Sequence, residues 1–219
     1  MRRVTVTGLL LAAVLGTPAL ALSQTPKGPA ALPPFIQMRT GGSYTTADER
    51  FLAEQFAIVQ QRSPTFRDMV SAIGAVGGIR VLLAPRPELQ RDEKLMGRTQ
   101  LRSAPDGLVA YTDIVVNREH PLVTVEAIAH ELGHAIEAAC LGPVGSLDAL
   151  RAALRARAIG HVPSAVGGTL ETPFPKAVGR VVAGEWPQAQ GTAGRFDALV
   201  REFGLARCAL SNSVVARSK

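Results

Sequence analysis

From residue 46 onward the apolar positions recur in blocks of helical or extended period. Leu52, Phe56 and Val59 share one helical face behind Thr46-Ala47-Asp48-Glu49, which has the form of a capping box, and Pro64 closes this first helix. Ser63 then caps a second helix, with Pro64 in its first position, Phe66, Met69, Val70 and Ile73 as its buried stripe, and Gly74 to Gly78 as its end. Residues 79–83 are β-branched or aliphatic and predict a strand closed by Pro85. After an irregular polar stretch to residue 96, segments 98–103 and 108–116 flank Pro105-Asp106-Gly107 and predict a hairpin.

The most apolar block follows. Val125, Ile128, Ala129, Leu132 and Ile136 predict a buried helix with Pro121 in its first turn, capped by His120 or Thr124 and stopped by Gly142-Pro143. Further helices are expected behind Ser146 (Leu147, Leu150, Leu154) and behind Thr172 (Val178, Val181, Val182). A last one runs from Arg195 to about Leu210, and His161 to Gly168 form a loop. The pattern predicts an α+β domain over residues 46–210, with a small sheet of about three strands ahead of the central helix and a mostly helical C-terminal half.

The N-terminal residues follow other rules. Arg2-Arg3, the apolar run from Val4 to Leu15 and the small-residue site Ala19-Leu20-Ala21 have the three parts of a secretory signal peptide. Residues 1–21 are expected to be removed on export to the periplasm or the medium, leaving no stable membrane anchor. Residues 22–45, rich in Pro and Gly, read as an arm or linker, and 211–219 as a disordered tail.

At 47% hydrophobic and 19% charged residues, the chain can bury a core, which excludes a disordered protein. The formal charge of +6 drops by two when Arg2 and Arg3 leave with the signal. The arginines are scattered through predicted helices without interleaved aromatics, which argues against a nucleic-acid partner. The only cysteines, Cys140 and Cys208, are expected to form a disulfide in an exported protein.

Candidate chemistry concentrates in the central helix, in Ala129-His130-Glu131-Leu132-Gly133-His134-Ala135. Histidines four apart lie one turn from each other on the same face, roughly 6 Å apart, close enough to share a metal ion. Glu131, about 100° around the helix from His130, can hang beside such an ion without occupying a coordination position, as a general base must. These are two of the chain's four histidines, and both sit in an apolar helix where unpaired imidazoles are costly. Gly133, unfavourable inside a helix, predicts close packing at that point.

This segment resembles the active-site helix of the zincin metallopeptidases. The resemblance implies Zn2+ on His130 and His134, Glu131 as general base, hydrolysis of a peptide or protein by metal-activated water, and a preceding sheet whose edge strand binds extended substrate. Glu137 and Cys140 stand where metzincins have Gly and a third His, so the gluzincin type, with a Glu on a later helix, is the nearer likeness. Glu171 is preferred as third ligand, because Leu170-Glu171-Thr172 with Ala177 and Gly179-Arg180-Val181 is similar to small exported bacterial proteins carrying the motif. Glu185, Glu137 and His161 remain open as alternatives. Tyr111 is a candidate oxyanion donor, and Asp113 or Glu126 a candidate partner for a ligand histidine. An exported zinc-binding or regulatory protein of the same fold, without turnover, is the competing expectation.

Overall fold

A computed structural model of the chain describes residues 32–39, 44–86, 96–141, 147–158, 160–162, 169–187 and 194–209. The expected signal peptide, most of the arm, the tail, the Ser146 cap and the Gly142-Pro143 stop lie outside these residues. The fold is α+β, a four-stranded mixed sheet with helices against one face. The elements are β1 (Ile36–Met38), α1 (Thr46–Arg62), α2 (Pro64–Val76), β2 (Ile79–Arg86), β3 (Gly97–Ala104), β4 (Gly107–Val115), α3 (Pro121–Cys140), α4 (Leu147–Arg157), β5 (Gly160–Val162), β6 (Thr169–Glu171), α5 (Pro173–Glu185) and α6 (Arg195–Glu202). A 3-10 turn at Ala206–Cys208 follows. Among the described residues no helix is long and apolar enough to cross a membrane.

Strand order in the main sheet is β1-β2-β4-β3, with β1 and β4 parallel to β2 and β3 antiparallel to β4. The predicted hairpin is β3–β4. Its Gly107 has φ +135°, and any Cβ there would overlap the Gly78 carbonyl, so only glycine closes this turn. Val81, Leu83, Ala110, Thr112 and Ile114 alternate onto the helical side and are buried. α3 lies under β3 and β4 and packs most extensively against α5.

Several sequence expectations shift. The capping box is Thr45–Asp48, one residue earlier than Thr46–Glu49. Thr45 Oγ1 accepts from the Asp48 amide (3.2 Å) and Asp48 Oδ2 from the Thr45 amide (3.2 Å), Asp serving where Glu was expected. The arm contributes β1, too short to carry a period. Pro85 does not close β2: its missing N–H falls on the side facing β1, past the last paired residue, where no ladder bond is lost. His120 is the N-cap position of α3 but makes no side-chain cap bond, and Thr124 Oγ1 instead accepts from the Asn117 amide (2.9 Å). His161 and Val162, expected to begin a loop, lie on β5, which pairs with β6; the rest of that expected loop lies outside the described residues. The last helix stops at Glu202, eight residues short of expectation, because Gly204 turns the chain at φ +65°. Cys140 and Cys208 form the expected disulfide, with Cα atoms 5.5 Å apart.

Gly133 justifies its place in α3: a Cβ there would stand 2.7 Å from Pro175 Cα and 3.1 Å from Val178 Cγ1 of α5. Gly179 is the reciprocal small residue, where a Cβ would be 3.3 Å from the Cβ of His130. Because the obstacle at Gly133 includes backbone, Gly133→Ala is expected to lower stability by about 2 kcal/mol, read as a lower urea midpoint. A midpoint at or above that of the parent would show that the two helices separate freely.

Candidate metal centre

α3 presents His130 and His134 on one partly exposed face, their ring centroids 5.1 Å apart. The end of β6 delivers Glu171 to the same point, its Oε2 3.4 Å from His130 Nε2. One donor atom from each of the three lies within 4.8 Å of the other two, a group that can hold a metal ion. Tetrahedral coordination with bonds near 2.1 Å needs donor separations of about 3.4 Å, which the His130–Glu171 distance already meets. The donor set fits the ion in a second respect: Glu171 Oε1 is buried without a hydrogen-bond partner, an uncommon and costly state for a carboxylate oxygen.

The electrostatics match that chemistry. Burial, reinforced by His130, pushes the His134 pKa down to about 4, so its imidazole is neutral and ready to donate a lone pair at neutral pH. Burial also works against charge on His130, but its contact with Glu171 and the carboxylates of Glu131, Glu171 and Glu126 outweigh this and raise its pKa. For Glu171, burial is opposed by the bond to His130 and the charges of His130, His134 and Lys176, and its pKa falls.

Glu131 stands apart from the ligand group. It is 5% exposed, and burial pushes its pKa up to about 7 against the opposing effects of His130 and Thr99. Thr99 Oγ1, on β3, donates to Glu131 Oε2 at 2.7 Å. Gly97 makes room for the same carboxyl, since a Cβ there would lie 2.6 Å from Glu131 Cγ. Sequence reasoning missed Thr99 and Gly97, whose only sequence signal was a glycine opening a strand ahead of the motif.

Two of the alternative ligands, Glu185 and Glu137, have other partners. Glu185 accepts from Ser63 Oγ (2.5 Å), Thr65 Oγ1 (2.7 Å) and the Thr65 amide (3.2 Å), which makes it the anion at the N-terminus of α2. Glu137, fully buried, accepts from Thr172 Oγ1 and from Arg157 Nε (3.2 Å). It thereby ties Thr172, the residue next to Glu171, to α3. Arg157 also donates to the Phe203 carbonyl, extending the tie to the end of α6. His161 lies on β5, in register with Leu170.

The candidate oxyanion donor and one candidate histidine partner are also placed elsewhere. Tyr111 is on the opposite face of the sheet from Thr112, beneath Arg39 and Arg102, with guanidinium carbons 5.9 and 4.9 Å from its ring centre. Asp113 pairs with Arg39 and Arg86 on that face. The scattering of arginines over helices therefore describes only part of the molecule. Comparison of the chain with models of known protein families, with curated proteins and with solved structures finds no match.

Proposed function

We propose that the protein is a zinc-dependent peptidase of the gluzincin type, with His130, His134 and Glu171 as ligands and Glu131 as general base. One observation carries the reading: three ligand-type side chains converge on a point, while a fourth polar side chain, the acid Glu131 next to His130, stays out of the cluster. Zinc bound there would supply Lewis-acid activation of water and of a scissile carbonyl. Glu131 removes the proton from water and returns it to the leaving amine, a double task suited to a carboxyl held near pKa 7. Thr99 fixes one of its oxygens.

β3 supplies the track for the substrate. It ends the strand order, and Val115 N bonds the Met96 carbonyl at 2.9 Å. By antiparallel alternation the backbone groups of Gly97, Thr99 and Leu101 point away from β4. An extended peptide bonded to them passes Glu131. The buried disulfide supports action outside the cytoplasm, in the periplasm or the medium.

The test is metal content and hydrolysis together. The purified mature chain is expected to hold one zinc and to cleave an unfolded protein substrate until a chelator removes the metal. Zinc at about a hundred times its dissociation constant adds about 2.7 kcal/mol of stability, which raises the unfolding temperature by about 5–10 °C. Stoichiometric zinc without cleavage of any peptide would make the chain a silent zinc-binding protein, and no zinc at all would end the reading.

A further inference from the structure

The sheet face turned away from the helices is cationic. Among the described residues it carries Arg39, Arg80, Arg86, Arg98 and Arg102 against two acids, Asp113 and Asp106. Three of the arginines are matched, Arg39 and Arg86 by Asp113 and Arg80 by Asp106. The other two are not. Among the described residues neither Arg98 nor Arg102 has a carboxylate partner. Arg98 reaches the side-chain amide group of Gln100, 3.0 Å from Nε and 2.7 Å from Nη2, and Arg102 lies over the Tyr111 ring. Both belong to β3, four residues apart on one face of the strand whose outer edge has no strand partner among the described residues.

Resting on the substrate path proposed above, we infer that Arg98 and Arg102 select peptides with acidic side chains at two positions four residues apart. Residues directly opposite in a strand pair share a face of the sheet. A peptide strand added to β3 therefore turns the residues opposite Arg98 and Arg102 onto the cationic face, and the residue opposite Thr99 towards Glu131. Positions four apart along an extended chain are about 13 Å from each other, the same spacing as the two arginines along β3. Acidic side chains there meet guanidiniums that have no carboxylate partner among the described residues, while lysines would add to a surface in positive excess among those residues. Selection thus reads alternate residues of the substrate, on the side away from the metal.

The measurement is fluorescence anisotropy of short labelled peptides on the zinc-loaded full mature chain carrying Glu131→Gln, which keeps the peptide intact. Peptides differing only in Asp, Asn or Lys at the two positions are compared. The Asp peptide is expected to bind about ten-fold more tightly than the Asn peptide at low ionic strength, with the margin shrinking in high salt. Arg98→Glu with Arg102→Glu should turn the preference to the Lys peptide, and the milder Arg98→Gln with Arg102→Gln should level it without lowering the unfolding temperature. Equal binding of all three peptides, or a preference that survives the charge swap, would overturn the inference. So would displacement of the Asp peptide by an equimolar single-stranded oligonucleotide. If the parent cleaves peptides regardless of charge, the acidic selection fails and the peptidase stands. If the Asp peptide is bound selectively but the parent cleaves nothing, the peptidase fails and the selection stands.

Discussion

Glu131→Gln is expected to lower peptide hydrolysis about a thousand-fold while leaving zinc content unchanged. Positioned general bases contribute roughly 10²–10⁴ in rate, and the amide keeps the shape of the carboxyl while losing its basicity. Gln also keeps an oxygen to accept from Thr99 Oγ1, and Gly97 leaves room for it, so the side chain has no reason to move. Zinc occupancy should not change because the converging donors are His130, His134 and Glu171. A second readout separates the loss of a base from damage to the fold. In the metal-free parent, burial raises the Glu131 pKa from the ordinary value of 4.5 to about 7. The folded state therefore binds the extra proton more tightly than the unfolded chain. Ionisation costs stability as pH rises above 4.5, and the full loss is present above about 7. Gln does not ionise. The metal-free variant should then be the more stable protein at pH 8, with the difference fading at pH 4. A variant that hydrolyses as fast as the parent would remove Glu131 from the mechanism.

Replacing both Cys140 and Cys208 by Ala is expected to cost about 4 kcal/mol. The bond closes a loop of 68 residues, and the chain entropy it removes from the unfolded state scales with the logarithm of that length. Against a total stability of about 5–15 kcal/mol this is a large share, and the unfolding temperature should fall by about 10 °C. Alanine is the right replacement because both positions are buried, 6% and 3% exposed, and serine would leave a hydroxyl without a partner. Reductant should lower the unfolding temperature of the parent and leave the Ala variant unmoved. A parent indifferent to reductant would show that the bond contributes nothing in solution.

What the sequence revealed about fold and site follows from the range of each signal. The histidine pair and its carboxylate lie within five residues of one helix, so periodicity alone sets their relation. Pro121, Ser63 and Pro105-Asp106-Gly107 act on their own neighbours and read correctly. Glu171 against Glu185 was a different problem, because which glutamate meets the histidines depends on where α5 crosses α3. That crossing is set by Gly133 against Pro175 and Gly179 against His130, contacts between segments more than forty residues apart. Thr99 beneath Glu131 was illegible for the same reason. β1, β5 and β6 have three residues each, too few to show a period of two, and only their pairing makes them strands.

The buried contact of Glu185 with Ser63 and Thr65 spans 120 residues or more of chain. It makes the candidate metal site a late product of folding. α3 can form locally with both histidines in place, but Glu171 immediately precedes α5. The far end of that helix gains its buried carboxylate contact once the N-terminus of α2 is in place to receive it. Closing so long a loop is slow compared with helix growth. A partly folded chain thus carries only the two histidines of the candidate site, and the group of three belongs to the finished molecule alone.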